Sequence, residues 1–360
     1  MEGLADYIER LQAQLDKWRI KGEYPGVLFP IERLGGRPES EGLTGIARLA
    51  AESRTLRAKR RVEYLELPSR SLLNRCSNPH MPFRWTINPY RGCEIGCQYC
   101  YARYTHEFMG LSDGKLFEEK IYAKGEVARL LRRDLRKNPR GGIAIGTSTD
   151  PYQPAERRFE RTRSALEVFA EGSGQDLSIT TKSDLIVRDV ELLQQVARRN
   201  RLSINVTVTT TDEQLARLLE PYAPRPSLRL EAVERLAEAG LTTGVFLNPV
   251  QPGITSTEEN LRAVARAAKR AGASYLGGGL LFLMPSAQQH FFPFVEKEFP
   301  HLAAAYRAHY EQNAYLRGEL AEKLQERLRR IRAEEGLESR PEALPVEAPE
   351  PPAQQLSLFD

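Results

Sequence analysis

The stretch Arg91-Gly92-Cys93-Glu94-Ile95-Gly96-Cys97-Gln98-Tyr99-Cys100-Tyr101 holds three of the four cysteines in the chain. Their spacing is C-x3-C-x2-C, with an aromatic residue just before the third. Three thiolates this close can hold one inorganic centre and leave a coordination position open, which catalysis at a metal requires. Structural zinc sites usually close with four ligands drawn from two separate pairs, and no second pair follows here. His106 is the one nearby side chain able to complete such a set. A [4Fe–4S] cluster on three cysteines instead leaves one iron free, and the amine and carboxylate of an amino acid can chelate it. If that molecule is S-adenosylmethionine, one electron from the cluster breaks its sulfonium bond and produces a 5′-deoxyadenosyl radical.

Outward from this loop the chain alternates short apolar runs with helical periodicity. Residues 85–88 read as a strand feeding the loop, followed by strands at 142–147, 177–181, 202–209, 244–247 and within 275–284. Helical patterns fall between them at 126–137, 161–170, 187–199, 227–239 and 257–271. Six strands alternating with helices predict parallel βα units, and both an open doubly wound sheet and a partial barrel fit. In either architecture the site lies at the carboxyl ends of the strands. The residues there are polar: Thr147-Ser148-Thr149-Asp150, Lys182-Ser183-Asp184, Thr209-Thr210-Thr211-Asp212 and Asn248-Pro249-Val250-Gln251. Such a gathering suits a buried polar ligand. Taken alone, Thr149 and Ser203 are ordinary strand-end hydrogen-bonders and Lys182 is a surface charge.

The flanks carry less information. Leu4, Ile8, Leu11, Leu15 and Trp18 form one apolar stripe and predict a helix over residues 2–20. Residues 21–50 read as irregular. Arg54, Arg57, Lys59, Arg60 and Arg61 read as a solvated helix face, and Cys76 as an inert buried thiol. A helix is expected over 301–337, with Leu316, Leu320, Leu324, Leu328 and Ile331 on one face. Residues 339–354 interleave prolines with acids and predict a disordered tether. The expected divisions are 1–80 as lead-in, 81–290 as the catalytic barrel, 291–338 as a helical extension, and 339–360 as linker and docking peptide.

The 360 residues suffice for one large domain with appendages. Lys and Arg total 52 against 48 acids, a net charge of +4, so composition neither demands nor excludes a polyanion. Clumped basic residues at 132–140 and 157–163 can flank the mouth and touch phosphates. Four cysteines are no disulfide framework, and their clustering predicts a metal centre in a reducing compartment. Acids near the first residue and the lack of an apolar run of ~18 residues predict a soluble, cytoplasmic protein with no membrane partner.

The cysteine spacing, the aromatic and the strand context together resemble the signature of the radical S-adenosylmethionine superfamily over roughly residues 83–285. Ile87-Asn88-Pro89-Tyr90-Arg91-Gly92-Cys93, Tyr101-Ala102-Arg103, Gly146-Thr147-Ser148-Thr149-Asp150-Pro151-Tyr152-Gln153-Pro154 and Thr181-Lys182-Ser183 look like its spore photoproduct lyase-like branch. Enzymes of that branch split a thymine dimer in DNA by a radical route. The resemblance implies an α/β fold: a partial (βα)6 barrel with N- and C-terminal helical extensions and a disordered C-terminal tail. It implies that Cys93, Cys97 and Cys100 bind a [4Fe–4S] cluster and that Tyr99 lies against the adenine of S-adenosylmethionine. It further implies that Thr149, Lys182 and Ser203 hold the methionine end and ribose of that cofactor, and that a reducing electron donor is needed.

One position departs from the pattern. The lyases carry a further cysteine near the end of the second strand, which returns a hydrogen atom to the product, and here Thr147 stands there. An aliphatic O–H bond is too strong for that role. Tyr101 is the expected donor, with Tyr104 and Tyr152 as alternatives. The peptide Gln355-Leu356-Ser357-Leu358-Phe359 resembles the motif by which bacterial repair and replication proteins dock on the sliding clamp, with Gln355, Leu356, Leu358 and Phe359 as contacts. The expected function is therefore a radical enzyme acting on DNA in repair, recruited by the clamp. A radical enzyme modifying a protein or small molecule, and a non-enzymatic metal-stabilised module binding DNA or the clamp, remain open.

Overall fold

The computed structural model describes residues 43–58, 62–78, 81–111 and 113–337. The expected helix over 2–20, the basic residues Lys59, Arg60 and Arg61, the tether at 339–354 and the peptide at 355–359 lie outside the described residues.

The strands, in chain order, begin with β1 (Arg54–Ala58), β2 (Glu63–Leu67), β3 (Leu73–Arg75), β4 (Trp85–Ile87), β5 (Tyr90–Arg91) and β6 (Lys120–Lys124). They continue with β7 (Ile143–Ile145), β8 (Asp176–Thr181), β9 (Arg201–Thr207), β10 (Thr243–Val250) and β11 (Tyr275–Leu280). The large sheet runs β11-β10-β9-β8-β7-β4-β3. Its six strands from β4 to β11 pair in parallel, and only β3 is antiparallel. This is the expected six-unit α/β barrel, left open between β11 and the β3 edge. A smaller sheet, β1-β2-β6-β5, stands beside it.

Alternation within the strands explains the two faces. Leu202, Ile204 and Val206 of β9 pack outward on Ala232, Val233 and Leu236 of the helix Pro226–Glu238. The intervening Ser203, Asn205 and Thr207 point the other way and are buried. Asn205 donates to Ser178 Oγ at 3.0 Å and accepts from the Tyr275 hydroxyl at 2.7 Å. A filled barrel carries Val, Ile and Leu inside. This lumen is lined by amides and hydroxyls, which suits a polar occupant.

The structure corrects three expectations. Residues 54–58 form an edge strand rather than a helix face, because Arg54–Ala58 pairs along β2 and Arg54 reaches Glu66 at 2.8 Å. The single helix over 301–337 is two, Pro300–Tyr310 and Glu319–Glu334, parted where Gly318 takes φ 75°. Leu324, Leu328 and Ile331 are buried as expected, whereas Leu320 faces solvent. The residues read as irregular include the helix Gly45–Ala51, and the helices Glu213–Leu219 and Pro285–Glu298 were also not foreseen. The last of these lies on the cysteine loop: Phe291 and Val295 share one apolar cluster with Cys93, Ile95, Cys97 and Tyr99. Among the described residues no helix is long and apolar enough to cross a membrane.

Candidate active site

The cysteine loop leaves β4 and is turned by β5, which pairs antiparallel with β6. Two glycines make the turn possible. Gly92 has φ 78°, and a Cβ there would stand 2.6 Å from the Lys120 carbonyl oxygen; Gly96 has φ 69°, with the Tyr222 ring 2.9 Å from such a Cβ. Any side chain would push the loop off its neighbours. Cys93 N donates to Phe117 O at 2.9 Å and Gln98 N to Leu219 O at 2.9 Å, tying both limbs down.

Cys93 and Cys97 are buried and Cys100 half-buried, all with free thiols. Burial pushes each thiol up, that of Cys97 to about 12. A bare thiolate is therefore disfavoured here, and a cationic centre is what would stabilise three of them together. Among the described residues no group of three or more His, Cys, Asp and Glu side chains is placed to hold a single metal ion. In a four-iron cube each thiolate takes a different iron, so the donor set fits a cluster better than one zinc. His106 does not complete a zinc site: its Nε2 lies 3.1 Å from the Lys120 carbonyl, and its ring packs on Phe117 and Tyr122. Burial lowers its pKa to about 4, so it is a neutral core histidine.

Thr149 follows β7 and lies under the loop. Its hydroxyl donates to the Gly92 carbonyl at 2.7 Å. Gln153, fully buried, completes this clamp. Its Nε2 donates to the Gly92 carbonyl at 3.0 Å and to Thr149 Oγ1 at 2.8 Å, and its Oε1 accepts from Glu94 N at 3.0 Å. Arg103 does the same from the other side, donating to the Cys97 carbonyl at 3.1 Å and pairing with Glu118. Replacing Gln153 by leucine takes the acceptor from the buried Glu94 amide, at roughly 1–3 kcal/mol, and leaves the Gly92 carbonyl with Thr149 alone. The Gln153→Leu protein is expected to fold but to bind substoichiometric iron on reconstitution. Full iron content would show that the clamp is dispensable.

Tyr99 is buried with its hydroxyl donated to Glu220. Glu220 forms a buried ion pair with Arg229 at 2.5 Å and accepts from Thr209 Oγ1 at 3.3 Å. Burial alone would raise the Glu220 carboxyl; Arg229, Lys182 and Tyr99 outweigh it and hold it below the usual range. Lys182, which follows β8, lies over the Tyr99 ring at 5.6 Å. Its backbone N donates to Asp150 Oδ2 at 2.6 Å, and Asp150 also accepts from Thr181 and Tyr152. Thus Tyr99, Thr149 and Lys182 converge on the loop. Ser203 does not. It is the third residue of β9, four residues before the strand ends, and its hydroxyl donates to Leu177 O at 3.3 Å.

The Tyr101 hydroxyl donates to the Thr147 carbonyl, spanning the mouth from the loop to the end of β7. Thr147 Oγ1 accepts from Asn88 Nδ2 at 3.0 Å. Cys76 pairs through its backbone with Arg84 at the far end of β3 and lies apart from the loop. Of the basic clumps, Arg132 pairs with Glu171 and Arg163 with Asp189. Residues 136–140 precede β7 and so lie at its amino end, opposite the mouth, which corrects the expectation that they flank it.

Glu220 and Arg229 were not foreseen. Tyr99 is 121 residues from Glu220, and Arg229 lies in the next helix, so no local pattern marks them. Gln153 stands inside a stretch whose residue types were informative, although its clamp geometry was not.

Residues 87–265 match the family model described as Radical SAM superfamily. An uncharacterized protein of Mycobacterium tuberculosis is 34% identical over 301 residues, covering 82% of this chain and 88% of the relative. An uncharacterized protein of Methanocaldococcus jannaschii is 27% identical over 198 residues, 55% of this chain and 71% of that protein. Among solved structures, a spore photoproduct lyase mutant with bound AdoMet and dinucleoside spore photoproduct shares the fold, at TM-score 0.58 and 16% identity over 90% of this chain and 91% of that one.

Proposed function

The chain belongs to the radical SAM superfamily, whose members use a [4Fe–4S] cluster and S-adenosylmethionine, and from that premise we propose that this radical SAM enzyme acts on damaged DNA. When the cluster and S-adenosylmethionine are bound, one-electron reduction of the sulfonium supplies a 5′-deoxyadenosyl radical that takes a hydrogen atom from substrate. The observation that carries the reading is the cysteine loop, clamped by Thr149, Gln153 and Arg103 at the mouth of a polar lumen.

In this reading Cys93, Cys97 and Cys100 hold the cluster. Lys182 turns its ammonium toward the carboxylate of the methionine moiety, and the Tyr99 ring, pinned by Glu220, closes the adenine side. Ser203 contributes a hydroxyl to the lumen. The choice of DNA is supported by likeness of fold, over nearly the whole chain, to a lyase solved with a dinucleoside spore photoproduct. Tyr101 returns the hydrogen atom in place of the missing cysteine. Its O–H breaks homolytically, a C–H forms on the product, and an electron from the reducing donor with a proton resets the phenol. Support for this is its place at the Thr147 carbonyl, on the mouth. Gln355, Leu356, Leu358 and Phe359 dock on the sliding clamp, with the prolines before them supplying reach.

The test is reductive cleavage of S-adenosylmethionine by reconstituted protein with and without ultraviolet-irradiated DNA. Damaged DNA is expected to stimulate cleavage at least about fivefold, the low end of ordinary coupling. Stimulation by a peptide or small metabolite and not by DNA would overturn the substrate class. Deleting residues 355–360 is expected to abolish clamp binding and spare cleavage, and unchanged clamp binding would remove the recruitment proposal.

A further inference from the structure

A run of five aromatic rings crosses the open seam of the large sheet. Phe108 meets Tyr104 edge-on at 5.5 Å, and Tyr104 stacks with Tyr101 at 6.5 Å. Tyr101 meets Phe282 at 6.1 Å, and Phe282 tilts onto Tyr315 at 4.4 Å. Phe282 follows β11, the strand at one end of the sheet, while Tyr101 and Tyr104 follow the loop fed by β4, next to the other end. Because Tyr101 also reaches the end of β7, the run passes over the mouth. Three of its members remain large exposed apolar side chains: Phe108 at 40%, Tyr101 at 39% and Tyr315 at 57%. A contiguous exposed aromatic surface at a mouth marks a binding face.

Positive charge stands beside it. Arg91 of β5 is opposite Tyr122 of β6, so Lys124, two residues along β6, shares its face as a diagonal neighbour. Lys124 is only 4% exposed, and Arg91 Nε is buried with no hydrogen-bond partner. Asp134, the acid Lys124 senses, is occupied by Ser71 and the backbone N–H groups of Leu72 and Leu73. Tyr104 lies within electrostatic reach of Arg91. Burial and the neighbouring Arg91 lower the Lys124 ammonium to about 7, so Arg91, its Nε unpartnered, is the cation that favours an incoming anion.

We propose that the Phe108–Tyr104–Tyr101–Phe282–Tyr315 strip is a stacking platform for the unstacked bases of single-stranded or locally opened DNA, with Arg91 drawing its phosphates. This rests on the nucleic-acid reading above and deepens it. Flat rings in a row accept any base, because every base has a π-face. Reading a closed duplex would call for side chains projecting into a groove. A target presented unstacked also exposes the base atoms that an intact duplex buries.

The test is fluorescence anisotropy of the full-length holoenzyme with a labelled oligothymidine and with the corresponding duplex, across a salt series. The single strand is expected to bind more tightly. Phe108→Ala and Tyr315→Ala are each expected to weaken single-strand binding by between about five- and a hundredfold, the alanine cost of one stacked base. Tyr315→Leu, which keeps an apolar contact with Phe282, is expected to weaken it similarly. Basal S-adenosylmethionine cleavage without DNA stays unchanged in all three. Wild-type affinity in both ring variants, with DNA still bound, would overturn the platform and leave the nucleic-acid function standing. Failure of the wild-type protein to bind any DNA would overturn both.

Discussion

Replacing Cys97 by alanine is expected to abolish iron incorporation beyond background and with it all reductive cleavage of S-adenosylmethionine. Three thiolates are the minimum that hold a four-iron cube while leaving one iron open, so loss of one leaves two protein ligands. The loss is expected to be chemical rather than structural. Cys97 is buried in the apolar cluster of the loop, where alanine removes one sulfur from a site also held by Gln98 N on Leu219 O and Arg103 on the Cys97 carbonyl. Those bonds use backbone atoms that alanine keeps. Anaerobic reconstitution with iron analysis, followed by measurement of 5′-deoxyadenosine, checks it. Wild-type cleavage by the Cys97→Ala protein would rule out this loop as the catalytic centre.

Replacing Arg229 by methionine is expected to destabilise the protein by about 3–5 kcal/mol, because it leaves Glu220 charged and buried with its main counter-charge gone. Glu220 is 1% exposed and lies 2.5 Å from Arg229. The pH dependence carries the signature. In the wild-type protein the Glu220 carboxyl is held below its ordinary 4.5, so the pair contributes stability above that pH and loses it as pH falls through the lower, folded value. Without Arg229 burial dominates and the folded pKa rises above 4.5. The variant therefore regains stability relative to wild type as pH falls through that raised value. Urea unfolding at pH 7 and pH 5 measures both. A loss at pH 7 that does not shrink at pH 5 would show that the ion pair is not the cause. Tyr99 donates to the same carboxylate, so a loosened Glu220 also frees the ring beside Lys182.

Such effects mark the line between what is legible in the residues and what is not. The strand-and-helix alternation was readable because apolar period and turn residues are local, and the six parallel strands follow from it. The cysteine spacing and the polar residues after each strand were readable for the same reason: a strand ends where its apolar run ends. Ser203 shows the limit. Its residue type suits a ribose, but its position within β9 puts it four residues short of the strand end. The helix expected over 301–337 is broken before Gly318, since a leucine pattern does not record that the chain turns back to pack on the helix Glu258–Arg270 and on β11.

The sequence by itself determined the cysteine loop, the parallel βα order and the residues Tyr99, Thr149 and Lys182 that meet at its mouth. Each of these depends on spacing within a few residues of one chain segment. Only the tertiary structure decided that Gln153 clamps Gly92, that Glu220 and Arg229 lie beneath Tyr99, that His106 is a core residue, and that Phe108 and Tyr315 belong to one aromatic strip. Those pairings join distant segments, as with Tyr99 and Glu220, which are 121 residues apart. Their partners are chosen by burial, which removes water as a competitor and makes each buried polar group find the one neighbour that satisfies it.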